Sequence, residues 1–378
     1  MTNQPFVFSD ETGRLSDEEY TRALAWLSDI RGVIDDRARR AESDPDWARL
    51  ACPDGGWHPN YPASIEMDGS IQNIQTSYSL LAGGDRDVIR KLRLYCQVFT
   101  GYQLATLERA GIRPWIAAKL PDDWDNSLRY LAGPPTVAIN NLYEVSRALP
   151  AELRIDPPRK FGEIGWGIDG SLMNHDVYGY QQIVCLMYEN GLIDLLTARL
   201  ARQGYLKIVE VGGGYGALAH HLMGMFNEKV HYAIVDIPES LAFSSIYCST
   251  LRPEMPSRLI IEDAPFSLNN SPGLTFIPNM YHRNIETGSL PVDLCINTLS
   301  LAEMTQEQVE DYCDSISRLL GETGLFFEQN HQRGKIPLND IFPRYFKNLR
   351  KCETGIIPTY PTIRGEANFW VNSLWRDE

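Results

Sequence analysis

Residues 206–217 constrain this chain more than any other segment. An apolar run, Leu206 to Val209, closes on Glu210-Val211-Gly212-Gly213-Gly214-Tyr215-Gly216 and passes at once into a helical pattern from Ala217. Glycines between a strand and a helix let the backbone turn tightly and approach a ligand with no Cβ in the way. The next apolar run ends at Asp236, twenty residues past Gly216. A carboxylate at that distance can accept hydrogen bonds from both ribose hydroxyls of a nucleoside. Ile237 follows it, and Pro238 suits the first turn of the next helix. The residues Glu210, Gly212, Gly213, Gly214, Gly216, Asp236 and Ile237 are therefore expected to hold a nucleoside cofactor at the carboxyl ends of parallel strands.

Two cofactors compete for such a turn. Gly212-x-Gly214-x-x-Ala217 satisfies the dinucleotide pattern, which admits Ala at its third position. Glu210, however, closes the strand where a methyltransferase carboxylate faces the methionine part of S-adenosylmethionine, and where a pyrophosphate would be repelled. No Lys or Arg occurs between Ile208 and Glu228. S-adenosylmethionine carries a cationic sulfonium and ammonium and no phosphate, so an acidic, base-free turn favours it. Helix dipoles bind pyrophosphate without basic side chains, which keeps a nicotinamide oxidoreductase open as the alternative. A glycine turn with no ligand is the remaining reading.

Strand and helix signals alternate around this turn: LKIVEV, a helix from Ala217, HYAIVD, a helix from Pro238, LTFIPN, VDLCIN, a helix from Thr305, and GLFFEQ. Alternation of this kind predicts an α/β fold, a Rossmann-like parallel sheet with helices on both faces. The segment from Lys351 to Trp375 is expected to add an antiparallel edge hairpin. Upstream, FGEIGWGIDGSLMNHD reads as a hairpin about Asp169-Gly170, followed by a helix from about Val177 to Leu200. The N-terminal third is mainly helical. Ser16 with Glu19 makes a capping box ahead of Tyr20, Leu24, Leu27, Ile30 and Ile34 at helical spacing, and a second helix is predicted from Asp85 through Val88, Leu92, Phe99 and Leu107 to Gly111. The expected organisation is a helical domain over 1–156, a linking hairpin and helix over 157–203 that covers the site, and a cofactor-binding domain over 204–378.

Composition narrows the partners. Asp and Glu outnumber Lys and Arg by 49 to 35, a net charge of -14, which argues against binding a phosphate backbone and so against nucleic acid. No run approaches the roughly 20 apolar residues needed to span a bilayer, and the start lacks a basic then apolar leader pattern. A cytoplasmic location is expected. Seven cysteines without a C-x-x-C pair, and seven histidines without H-x-x-x-H, predict neither disulfides nor a structural metal. A Mg²⁺ held by a few carboxylates and waters would leave no spacing signature and is not indicated. A homo-oligomer is compatible with the composition.

The combination of VEVGGGYGALA, IVDIPESL, NTLSLAEM, FFEQNH and the upstream FGEIGWGIDGSLMNHDVYGYQ resembles the sugar O-methyltransferase family over about Phe161 to His331. The resemblance implies a class I methyltransferase fold and a small-molecule acceptor with a carbohydrate-type hydroxyl. Methyltransferases acting on a nitrogen or carbon acceptor, and a non-catalytic binding protein, stay open beside it. Asn279 and Asn297 close two strands, where a side-chain amide can meet a base edge or the methionine backbone, although turns favour Asn in any case. Deprotonating a sugar hydroxyl calls for a base. His175 and His331 are the expected candidates, with Asp176 or Glu303 as orienting partners. One of Asn174 and Asp176 is also expected to cap a helix, and His220 and His221 to be ordinary helix residues, one exposed and one half-buried.

Overall fold

The computed structural model describes residues 6–9, 14–52, 70–96, 149–168, 171–286, 288, 291–330, 336–347, 349–353 and 366–372. The chain divides into two compact units, one of Met1–Arg31 with Pro62–Cys185, the other of Gly32–Tyr61 with Leu186–Glu378.

The first unit opens with β1 (Phe6–Ser9) and the start of α1 (Asp17–Ser43). The predicted capping box is formed: Ser16 N–H donates to Glu19 Oε2 at 2.8 Å, and Glu19 N–H to Ser16 Oγ at 3.1 Å. Two orphan donors of the helix start are thereby satisfied. Ala23, Trp26, Leu27 and Ile30 are buried, whereas Leu24 is exposed. Leu27 and Ile30 lie in the seam as expected, and Ala23, Trp26 and Val33 share it, whereas Tyr20 and Ile34 are half-buried. After α2 (Pro45–Ala51), which belongs to the second unit, come α3 (Ser70–Ala82), α4 (Arg86–Arg90) and α5 (Leu92–Cys96). The single helix expected from Asp85 is therefore interrupted at Lys91; Phe99, Leu107 and Gly111 lie outside the described residues. β2 (Glu163–Ile168) and β3 (Ser171–Met173) pair antiparallel with Ile168 opposite Ser171, and the expected turn residues Asp169 and Gly170 lie outside the described residues. β1 adds to the free edge of β2, a pairing the sequence did not announce.

α6 (His175–Glu189) and α7 (Leu192–Gln203) replace the one helix expected over 177–200. The break is Gly191, whose φ of 75° is left-handed and ends the helical ladder.

The second unit is built on an eight-stranded sheet. In chain order its parts are β4 (Leu206–Val211), α8 (Ala217–Met225), β5 (Val230–Asp236), α9 (Pro238–Leu251), β6 (Ser257–Leu259), β8 (Gly273–Pro278), β10 (Leu294–Thr298), α10 (Gln306–Leu320), β11 (Leu325–Asn330), α11 (Leu338–Tyr345), β12 (Leu349–Glu353) and β13 (Glu366–Asn372); β7 (Phe266–Ser267) and β9 (Ile285–Glu286) pair separately. The strand order is β12-β13-β11-β10-β4-β5-β8-β6. All neighbours run parallel except β13, which is antiparallel to both β11 and β12. This is the Rossmann-like α/β sheet expected from the alternation. The C-terminal pair is the expected antiparallel addition at the sheet's edge, with β13 next to β11 and β12 outermost.

Alternation along the strands explains why both faces are covered. Val209, Val211, Ala233, Val235, Cys295 and Phe326 pack with Val309, Ile316 and Leu319 of α10 and Phe342 of α11. The intervening residues, among them Ile208, Tyr232, Ile234, Ile296 and Phe327, are equally buried. α8 contacts β5, and α9 contacts β5 and β8. From β4 the chain moves through β5 to β8, then returns to place β10 on the other side of β4. That reversal makes a switch point between β4 and β10, the crevice where open α/β sheets bind ligands.

Candidate functional site

The glycine turn leaves β4 at this switch point, and each glycine answers a different demand. Gly212 has φ of 77°, and a Cβ there would collide with Ser300, which follows β10. Gly216 has φ of 87°, and a Cβ would stand 2.5 Å from Cys248 Sγ and 3.2 Å from Ser244 Cβ, so its absence lets α8 and α9 approach closely. Gly213 covers Glu210: an added Cβ would lie 2.7 Å from Ile234 Cγ2 and 3.2 Å from Glu210 Oε2. Gly214, with φ of 55°, is different. A Cβ there meets nothing within 4 Å, so this is the point where the backbone faces open space.

The turn's N–H groups are largely spent inside the protein. Gly212 N–H donates to the Val235 carbonyl at 2.8 Å, Gly216 N–H to the Gly213 carbonyl at 2.9 Å, and Gly214 N–H to Asp236 Oδ2 at 2.9 Å. Two carboxylates lie close to the turn. Glu210 is buried and accepts from Tyr232 OH at 2.9 Å. Asp236 accepts from Ile237 N–H at 2.8 Å on Oδ1, and on Oδ2 from Ser240 Oγ at 2.9 Å as well as from Gly214. Burial raises the Asp236 carboxyl to about 6, against the lowering effect of these three hydrogen bonds, and the nearby Glu239 charge adds to the rise. Pro238 starts α9 as expected.

Asn279 and Asn297 part company. Asn297 Nδ2 donates to the Val211 carbonyl at 2.9 Å and to Ser300 Oγ at 2.5 Å, while its Oδ1 accepts from Leu301 N–H at 3.4 Å. Its amide ties β10 to β4 across the switch point. Asn279 Nδ2 donates to the Ala51 carbonyl at 2.7 Å, and its buried Oδ1 has no hydrogen-bond partner among the described residues. An unsatisfied buried acceptor at a strand end is costly unless a ligand completes it.

His175 is the first residue of α6, and His331 lies outside the described residues. Glu303 ends a short 3₁₀ turn over Ser300–Glu303 and is exposed. Asn174 is the cap of α6, accepting from Val177 N–H at 2.9 Å. Asp176 is not an orienting partner held in reserve: its Oδ2 accepts from Arg93 Nη2 at 3.0 Å. Arg93 also grips Glu163, through Nε at 2.6 Å and Nη2 at 2.9 Å, and Asn174 Nδ2 adds a bond to Glu163 at 2.9 Å. All four side chains are buried. His220 and His221 are both half-buried, so neither is exposed as expected; burial lowers the His220 imidazole to about 3.

Three contributors were not anticipated. Tyr232 reaches Glu210 from the neighbouring strand, and nothing in linear spacing signals that. Ser240 was legible, since it stands four residues after Asp236 on the first turn of a helix. Leu299 has φ of 72° and ψ of -37° at the end of β10, a conformation that costs a branched residue about 1–3 kcal/mol. Its N–H donates to the Gln329 carbonyl at 2.8 Å, which helps hold the strained bend where Ser300 must reach Gly212. Among the described residues there is no cluster of three or more His, Cys, Asp or Glu able to hold a metal, and no helix long and apolar enough to cross a membrane.

No family model and no curated relative matches the chain. Among solved structures, the chain is similar to a magnesium protoporphyrin IX methyltransferase from Synechocystis with bound S-adenosylmethionine, at 12% identity over 51% of this chain and 84% of that one, with a TM-score of 0.30. An amino pentose methyltransferase of calicheamicin biosynthesis from Micromonospora echinaspora matches at 10% identity over 49% and 90%, with a TM-score of 0.34. A phosphoethanolamine N-methyltransferase from Haemonchus contortus matches at 9% identity over 49% and 56%, with a TM-score of 0.30. Likenesses this partial leave the site to be understood from this chain's own strands and turn.

Proposed function

We propose that the chain is an S-adenosylmethionine-dependent methyltransferase acting on a hydroxyl of a small, carbohydrate-like acceptor. The observation that carries the donor is the glycine turn itself. Three of its N–H groups are already donated within the protein, and two carboxylates, Glu210 and Asp236, lie close to it. Such a turn is poorly suited to a pyrophosphate, which needs free N–H groups and no nearby negative charge. It suits a cationic nucleoside ligand. The fit extends to the open space at Gly214 and to the unsatisfied Asn279 Oδ1, which can accept from an adenine amine.

When bound, the donor supplies an electrophilic methyl carbon on its sulfonium. The chain's own residues must then bind, align and deprotonate. Asp236 accepts from the ribose, Glu210 lends negative charge beneath the turn, and a base removes the acceptor proton as the oxygen attacks in line. His175 and His331 remain the proposed bases. The acceptor class rests on the sequence resemblance, on the net charge of -14, and on the need for a positioned base.

Thermal unfolding with S-adenosylmethionine, S-adenosylhomocysteine and NAD tests the donor, since only a ligand of the native state raises the midpoint. A rise with NAD alone would sink the reading. A mass-spectrometric screen of hydroxyl, amine and carbon acceptors then tests the class through a gain of one methyl group.

A further inference from the structure

α2 packs on the 3₁₀ segment Asn279–Asn284 that follows β8, and the carbonyls of its last turn have no partners within the helix. Those of Arg49 and Leu50, with the carbonyl of Cys52 just beyond, share one donor, Gln308 Nε2, at 3.2, 3.5 and 2.9 Å. Gln308 is itself oriented, since its Oε1 accepts from Thr305 N–H at 3.1 Å in the capping box that starts α10. Arg49 also pairs with Glu307, and near the end of α1 Arg37 and Arg40 pair with Glu239 and Asp263. The remaining carbonyl, that of Ala51, accepts from Asn279 Nδ2 at 2.7 Å.

A side-chain amide has a donor end and an acceptor end, and a carbonyl can bond only the first. Ala51 therefore decides which way Asn279 points, with Nδ2 toward α2 and Oδ1 away from it. Oδ1 has no hydrogen-bond partner among the described residues, in a residue only 8% exposed. The parallel register sets Pro278 opposite Asp236, about 4.8 Å away across the ladder, so Asn279 stands one residue beyond the acid's neighbour. A nucleoside held at Asp236 by its ribose and lying toward β8 brings its base to that strand end.

Resting on the adenosyl-donor reading, we propose that the Ala51 carbonyl makes Asn279 selective for a 6-aminopurine, by fixing the amide with its acceptor end toward the base. α2 then takes part in donor specificity through Asn279. A 6-amine donates to Oδ1 and completes it. A 6-oxo group in the same place sets oxygen against oxygen and leaves both without a donor. Turning the amide over would relieve that clash but break the bond to Ala51, so the selectivity lasts only while α2 stays docked.

Calorimetric affinities for S-adenosylhomocysteine and for S-inosylhomocysteine, which carries an oxo group in place of the 6-amine, test this in wild type and three variants. Wild type should prefer the adenosyl compound by about 30- to 100-fold. Arg49→Ala combined with Gln308→Met releases the end of α2 and leaves Asn279 in place. Affinity for the inosyl compound should then rise by about five- to tenfold, because the amide is free to turn, while affinity for the adenosyl compound falls by about threefold. A merely structural role for α2 would lower both affinities together. Asn279→Asp presents oxygen at both ends, so it should keep the adenosyl preference, and adding the two α2-releasing substitutions to it should change that preference no further. Equal affinities for the two compounds in wild type, or a preference that survives release of α2 in the presence of Asn279, would overturn the proposal and leave the donor reading standing. No binding of S-adenosylhomocysteine by wild type overturns the donor reading, and this inference with it.

Discussion

Two groups of carboxylates among the described residues are held in opposite ways. In the first unit, Glu163 and Asp176 share one guanidinium, Arg93, with every member of the cluster buried. In the second, Asp236 is held by two backbone N–H groups and a serine, all neutral, next to a glycine that faces open space. A cation neutralises its partners and fixes them; neutral donors orient a carboxylate and leave its charge available. The first arrangement is a staple joining α5, β2 and α6. The second holds its carboxylate with no cation among its hydrogen-bond partners in the described residues.

The sharpest way to break this contrast is at Asp236. Asp236→Ala should lose detectable adenosyl-ligand binding by calorimetry while unfolding as cooperatively as wild type. Retained affinity would show that the neutral-donor site is not the ligand site. Next in size, His175→Ala is expected to bind the donor normally and lose roughly two to four orders of magnitude in turnover on the true acceptor, with loss of the acidic limb of the rate profile. If turnover survives in that variant and in His331→Ala, no histidine is the base and Glu303 becomes the next residue to test.

Arg93→Ala comes third, at about 3–5 kcal/mol of stability in denaturant unfolding, because it strands two buried carboxylates. A loss under 1 kcal/mol would mean that the cluster is not the staple described. The smallest effect is a pH dependence. The Asp236 carboxyl, raised to about 6, is protonated below that pH and cannot accept from two hydroxyls. Donor affinity should therefore rise with pH through about 6 and level off above 7. The sign for the free protein is the reverse: a raised carboxyl favours folding at low pH, and that contribution is lost as pH rises from about 4 to about 6. The difference in ligand-free stability between wild type and Asp236→Asn isolates this contribution, and a difference that stays constant from about pH 4 to 6 would contradict the assignment.

What was legible in the sequence follows from the range of the interactions concerned. The strands from LKIVEV to GLFFEQ and the helices after them are written in local apolar periodicity, and they lie where the pattern puts them. The glycine turn and Asp236 are equally local. The helix break at Gly191 was missed because one glycine is tolerated in many helices, and only its left-handed φ shows that it ends one. Asp176 and Asn297 read as free because their partners are remote: Arg93 precedes Asp176 by 83 positions, and Val211 precedes Asn297 by 86. Side chains that meet only through tertiary packing leave no spacing to count. β6 and β1 are short edge strands whose pairing is likewise set from outside their own residues.

The placement of β13 governs how the sheet can be assembled during synthesis. Residues 366–372 fill the slot between β11 and β12, so β12 leaves the ribosome before the strand it pairs with. Until that strand arrives, the outer edge of Leu325–Asn330, with its adjacent Phe326 and Phe327, stands open. An unpaired apolar edge is a template for pairing with another chain. A chain truncated before residue 366 would leave that edge uncovered for pairing with another chain.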